Sequence, residues 1–170
     1  MKNFAAHITF YNVYDRIKYL KSTIAAIKTI DDTDIFVHTN KIDNLDCIKN
    51  DAEIVTHNLD NRHPYTLVMD SRDYIARFAS DYDYSMYIED DIDFSYINFN
   101  YYKKYHSMVK VTNKYLGFMR IEHQNANDDL VFTDITSSSG NFIYKQPNYN
   151  FFSLNESQYQ GMWILDTDEL

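Results

Sequence analysis

Apolar positions along the chain change their period several times, and each change marks an element. Ala6 to Tyr11 is a short apolar and β-branched run that predicts a strand, and Asp15 beyond it is placed to cap a helix. From Ile17 the apolar residues fall at Leu20, Ile24 and Ile27, with Arg16, Lys18 and Lys21 interspersed. That three-four spacing predicts a helix with one buried stripe, ending near Asp31 and Asp32. Asp34 to His38 and Ala52 to Thr56 predict two further strands, separated by a short stretch around Leu45 to Lys49. The resulting β-α-β-α-β alternation implies parallel strands with right-handed crossovers.

Pro64 interrupts the chain, and Leu67, Ser71, Tyr74, Ile75 and Phe78 then make one face of a helix running to about Ala79. Tyr84 to Ile88 is a compact strand that runs straight into Glu89-Asp90-Asp91-Ile92-Asp93. Asn98 is a candidate cap for a helix whose apolar face is Phe99, Tyr102, His106 and Val109. Beyond it Leu116 to Ile121, Leu130 to Thr133, Phe142 to Tyr144 and Met162 to Leu165 predict strands joined without long helices, and Thr136 to Gly140 a loop. The expectation is an α/β fold with a first half of parallel strands, residues 1–95, and a mixed or antiparallel second half, residues 96–170. Both belong to a single domain, whether whole or cut from a longer protein.

Composition narrows the function classes. A net charge of -9 disfavours phosphate backbones and anionic membranes as partners. The N-terminus is too polar for a signal peptide, and no run approaches the roughly 18 to 20 apolar residues of a membrane span. A soluble, cytoplasmic protein is expected. The single cysteine, Cys47, cannot form an intrachain disulfide and is expected as a buried thiol. With three glycines there is no Gly-rich phosphate loop, so any nucleotide is held another way.

Ligands of open α/β sheets bind at the carboxyl ends of the strands, where Glu89, Asp90 and Asp91 fall. Three adjacent carboxylates repel one another and are tolerable beside a bound cation. The bland alternative is a solvated acidic turn. Hard oxygen ligands suit Mn²⁺ or Mg²⁺, which bridge to phosphate oxygens instead of being caged by protein alone.

The stretches His63 to Leu67, Arg72 to Ala79 and Asp83 to Ile92, with their helix leading into an acidic strand end, resemble small bacterial and viral glycosyltransferases of the GT-A fold. Tyr159 to Leu165 resembles the acceptor-side segment of such enzymes. The resemblance implies a Rossmann-like mixed sheet flanked by helices, and transfer of a hexosyl or deoxyhexosyl group from a nucleotide-sugar, with UDP as the expected nucleotide, to a glycan or other hydroxyl acceptor. It makes Glu89-Asp90-Asp91 the counterpart of the D-x-D motif, with Glu89 in place of the usual first Asp. Asp91 is then the metal ligand, with Glu89 able to share the ion, and Glu89 and Asp90 reach the ribose, the metal or its waters. Thr9, Tyr11, Asn12, His38 and Thr39 fall where such folds hold uracil and ribose, and Arg72 where a cation approaches the donor phosphates. His38 could equally be a core histidine and Arg72 a surface charge. Asp166 and Asp168, with Glu169, follow the strand that carries Trp163, where a catalytic base often falls, or they cap a following helix; Trp163 is the candidate acceptor platform or a core residue. A metal-dependent phosphohydrolase or nucleotidyltransferase and a non-catalytic glycan-binding module are the alternatives.

Overall fold

The structure is a computed structural model. It describes the backbone of residues 2–123, 130–132, 140–146, 149–154 and 161–169, and the side chains of residues 3–122 and 161–169. The chain divides into two compact units, residues 1–101 with 161–170, and residues 102–160. The second is therefore inserted before the last strand of the first, not appended after residue 95.

The first unit is built on a five-stranded sheet. Its strands are β1 (Lys2–Phe10), β2 (Thr33–Thr39), β3 (Glu53–Thr56), β4 (Tyr82–Glu89) and β9 (Met162–Asp166), in the order β3-β2-β1-β4-β9. β1 to β4 are parallel, as their apolar runs and the intervening helices imply, and β9 is antiparallel to β4. This is an α/β fold with a mixed sheet flanked by helices, compatible with a Rossmann-like arrangement. β1 is longer than its most apolar stretch suggests, because both of its faces are covered: Phe4, Ala5, Ala6, His7, Ile8, Thr9 and Phe10 are all buried.

The helix α1 (Ile17–Ile27) buries Leu20, Thr23, Ile24 and Ile27, and α2 (Thr66–Phe78) buries Leu67, Ser71 and Ile75. Crossovers running in opposite directions along the sheet put α1 and α2 on opposite faces. Tyr74 of α2 packs on the face that carries His7 and Phe36. On the other face, Phe99 of α3 (Tyr96–Lys110) packs against Phe4 and Tyr84, with ring centroids 4.6 and 5.3 Å apart.

Several local expectations change. Asp15 does not cap α1; it sits in a 3-10 turn, Tyr14–Arg16, and α1 begins without a side-chain cap. No helix joins β2 to β3. The link is a run of turns that buries Leu45 and Ile48 and uses a left-handed Asn44 at φ 64°. Asn98 lies inside α3, and its Oδ1 accepts from the N–H and Oγ of Ser95 at 3.0 and 3.1 Å, a capping-box arrangement that moves the helix start forward. Cys47 is exposed on the β2–β3 link and not a core thiol.

The second unit contains the antiparallel pair β5 (Ile121–His123) and β6 (Leu130–Phe132) and the antiparallel pair β7 (Gly140–Gln146) and β8 (Tyr149–Leu154). Of the strand expected at Leu116 to Ile121, residues 116–120 have no regular structure and only Ile121 falls in a strand, as the first residue of β5; β8 was not expected. The loop expected at Thr136 to Gly140 falls at residues 136–139 outside the described residues, and Gly140 opens β7. No helix among the described residues is long and apolar enough to cross a membrane.

Candidate functional site

The chain steps from β1 to β2 to β3 in one direction, then returns past β1 to lay down β4 on its other side. The point where the order reverses is the gap between the carboxyl ends of β1 and β4, the place where open α/β sheets leave a crevice. Thr9 and Glu89 are register partners at that edge. Tyr11, exposed, and Asn12, buried, follow β1, and Asp90 and Asp91 follow β4.

The acids are not equivalent. Asp90 is buried, and the Arg16 guanidinium grips it through Nε to Oδ2 at 2.9 Å and Nη2 to Oδ1 at 2.7 Å. Arg16 Nη2 also donates to Asp91 Oδ2 at 3.0 Å. The cation that relieves the carboxylate repulsion is therefore a side chain of the protein itself. Burial pushes the Asp90 carboxyl above its ordinary value despite the Arg16 bonds, while Asp90 raises Arg16, so the guanidinium stays charged. Thr23 Oγ1 donates to the carbonyls of Asp90 and Ile92 at 2.9 and 3.2 Å, which ties α1 to the acidic stretch. Asp91 remains exposed.

Glu89 is half-buried, and its N–H donates to the carbonyl of Gly161 at 2.9 Å. A Cβ on Gly161 would lie 2.7 Å from Glu89 Oε2 and 2.8 Å from Ile92 Cδ1. Gly161 thus leaves the room in which the Glu89 carboxylate lies. Among the described residues, no three of Glu89, Asp90, Asp91 and Asp93 bring carboxylate oxygens close enough to share one ion. A cation at Asp91 and Glu89 would have to take most of its ligands from water or phosphate, not from a protein cage.

Other expected donor contacts are spent inside the fold. Asn12 Nδ2 donates to the carbonyls of Lys41 and Asp43 at 3.0 and 2.7 Å, and its N–H donates to Asn40 Oδ1 at 2.8 Å. Asn12 therefore fastens the exit of β1 to the exit of β2. Thr39 is buried and donates to the Lys41 carbonyl at 3.1 Å. Thr9 Oγ1 donates to the Tyr87 hydroxyl at 3.1 Å, and burial pushes the Tyr87 phenol up to about 12. The Tyr87 ring carries the Arg72 guanidinium 5.8 Å from its centroid and stacks on Trp163 at 5.9 Å and 20°. Arg72 is exposed and Trp163 half-buried. These two, with Tyr11, Glu89 and Asp91, are the expected donor, metal and acceptor residues whose side chains are at least partly accessible.

His38, expected near uracil and ribose or in the core, lies in the core. Its imidazole is buried and bonds on both sides, Nε2 to His7 Nδ1 at 3.0 Å and Nδ1 to His57 Nε2 at 2.8 Å. Nothing in the residue spacing announces this chain, because it depends on the parallel register that sets His7 beside Phe36 and Thr9 beside His38.

Asp166 and Asp168 lie away from the crevice. β9 runs antiparallel, so Met162 pairs with Ile88 near the acids while Asp166 pairs with Tyr84. At about 3.3 Å per residue, that puts Asp166 roughly 17 Å along β4 from Glu89. Thr167 Oγ1 donates to the carbonyls of Tyr82 and Asp83, and Glu169 accepts from the Asp166 N–H at 3.1 Å, so this segment closes the amino-end edge of the sheet. In the Tyr159 to Leu165 segment, Tyr159 and Gln160 fall outside the described residues.

An open groove of about 790 Å³, lined by Tyr14, Ile17, Lys18, Lys21, Asn44 and Cys47, lies between the start of α1 and the β2–β3 link. No protein-family model and no curated protein matches the chain.

Proposed function

We propose that the crevice between β1 and β4 binds the nucleoside diphosphate of a nucleotide-sugar, and that the protein is a metal-dependent glycosyltransferase. The observation that carries this reading is the position of Asp91 and Glu89 at the reversal of strand order. There an exposed carboxylate and a half-buried one meet the edge where such sheets take their ligands. The order β3-β2-β1-β4 with an antiparallel β9 beside β4 is consistent with the GT-A arrangement that the acidic motif resembles.

Asp91, with Glu89, would hold Mn²⁺ or Mg²⁺, and donor phosphate oxygens would complete the shell. The ion would supply charge neutralisation of the leaving diphosphate. The chain's own residues do the rest. Arg16 holds Asp90 and the base of the acidic stretch in place, Arg72 offers a second cation over Tyr87, and exposed Tyr11 offers a ring on which uracil can stack. Trp163 supplies an apolar surface for a sugar ring. The acceptor base is not Asp166 or Asp168 in this reading, since both lie at the opposite edge.

A second reading rests on Arg16. Because the acids already have a counter-cation, the crevice could serve a binding module that uses no metal. A thermal-shift panel of nucleotides and nucleotide-sugars with and without Mn²⁺ separates the two. Stabilisation by UDP or UDP-sugars that requires Mn²⁺ supports the transferase, ion-independent stabilisation supports the module, and no stabilisation by any nucleotide removes both.

A further inference from the structure

The face of the sheet under α2 holds a row of three imidazoles. His7 on β1 and His38 on β2 are 1% and 0% exposed, and His57, just after β3, is half-buried. They are joined in sequence by N···N hydrogen bonds of 3.0 and 2.8 Å. Each such bond needs a proton on one nitrogen and a lone pair on the other, so three neutral rings share two protons in a chain of one direction. The His7 ring stacks on Phe36 at 4.8 Å, and the edges of His7 and His38 meet Tyr74 of α2 at 6.0 and 5.0 Å. No carboxylate hydrogen-bonds any of the three among the described residues.

We propose that the His7–His38–His57 chain is an acid-sensitive latch that holds α2 and the 57–65 segment against the sheet, and that acid releases this segment before the rest of the first unit. The released segment carries Tyr65 and Arg72, so it includes the cation over Tyr87 at the edge of the crevice. The inference does not depend on what the crevice binds.

The groups facing the chain set the order of protonation. His57 faces Asp70 on α2, which favours its cation, and Arg62 and Arg77, which oppose it. Tyr74 and Glu53 lie toward α2 and β3, and on β4 Tyr87 is the register partner of His7. The tyrosines stay neutral in acid. The first proton goes to half-exposed His57, whose cation can still donate through Nε2 to His38 Nδ1, so one proton leaves the chain intact. A second places a cation on a buried ring, His7 or His38, that has no carboxylate hydrogen-bonded to it among the described residues. Burial holds His7 down to about 3 and His38 down to about 2, so the closed latch refuses that proton and the open one accepts it near the ordinary histidine value of 6.5. These lowered values make the latch fully favoured above 6.5 and progressively weaker as pH falls below it. Because opening takes up more than one proton, the response is steeper than one histidine gives.

The test is amide hydrogen exchange on the full chain between pH 7.5 and 4.5, corrected for intrinsic rates, with His7→Phe as the comparison. Expected is a protection loss in residues 57–78, while β1 and β4 amides stay protected. It should grow by more than tenfold per pH unit below about 6, and its steepness should fall in His7→Phe. Should that variant fail to fold, imidazole nitrogen NMR of the wild type decides: His7 and His38 must remain neutral, each in one tautomer, while 57–78 is protected. Equal loss of protection across the sheet and α2, unaltered steepness in His7→Phe, or titration of His7 and His38 near 6.5 with α2 still protected overturns the latch.

Discussion

Removing Arg16 should cost more than neutralising Asp90, although the two are partners. In Arg16→Ala the Asp90 carboxylate, 7% exposed, loses both of its guanidinium bonds and is left as a buried anion. Stranding a fully buried charge costs about 3–5 kcal/mol. Here Arg16 is 40% exposed, so water enters the space it vacates, and Asp90 can protonate; the expected loss is about 2–3 kcal/mol. In Asp90→Asn the amide oxygen still accepts from Arg16, and the guanidinium keeps Asp91 and solvent, so the loss is about 1–2 kcal/mol. For a chain of this size the Arg16→Ala change lowers Tm by about 4–12 °C. Urea denaturation at several pH values, with wild type alongside, reads both numbers. Because burial raises the Asp90 pKa, the penalty in Arg16→Ala is complete where Asp90 is charged and is relieved as pH falls through its folded-state value. The gap between wild type and Arg16→Ala should therefore narrow as pH falls below neutral. A larger loss in Asp90→Asn, or a gap that ignores pH, would refute the assignment of Arg16 as the counter-cation.

Gly161→Ala should weaken Mn²⁺-dependent nucleotide binding several-fold while costing about 1 kcal/mol of stability, because its Cβ displaces flexible side-chain ends, Glu89 and Ile92, and no backbone. Calorimetry and urea titration on one preparation check it, and unchanged affinity would show that Glu89 is not a ligand. Trp163→Ala should cost about 2 kcal/mol, less than a fully buried tryptophan, since the ring is half-buried and stacked on Tyr87. UDP affinity should survive while transfer to acceptor falls; loss of fold, UDP binding and transfer together would make it a core residue only.

How much of this was legible along the chain depends on whether the signal is local. β1, β2, β4, α1 and α2 follow from run length and period, because each buries its own stripe or both of its faces. The acidic edge followed too, since the end of a strand is visible where Ile88 gives way to Glu89. The Arg16–Asp90 pair was not, as its members are 74 positions apart and are brought together only by α1 packing beside β4. The histidine chain needed the register of three strands. The misplacement of Asp166 and Asp168 has a single cause. A run such as Met162 to Leu165 reveals a strand but not its direction, and an antiparallel neighbour sends the residues after it to the opposite edge.

The most direct test of the nucleotide-sugar reading is titration calorimetry of UDP into wild type and Asp91→Asn, each with and without Mn²⁺. Asp91 is exposed, and one lost surface contact to Arg16 is worth about 0–1 kcal/mol, so the substitution should leave Tm within about 4 °C. Wild type should bind UDP only with Mn²⁺, and Asp91→Asn should lose at least tenfold of that affinity at unchanged fold. UDP binding to Asp91→Asn with the wild-type affinity and the wild-type Mn²⁺ dependence would contradict the nucleotide-sugar reading.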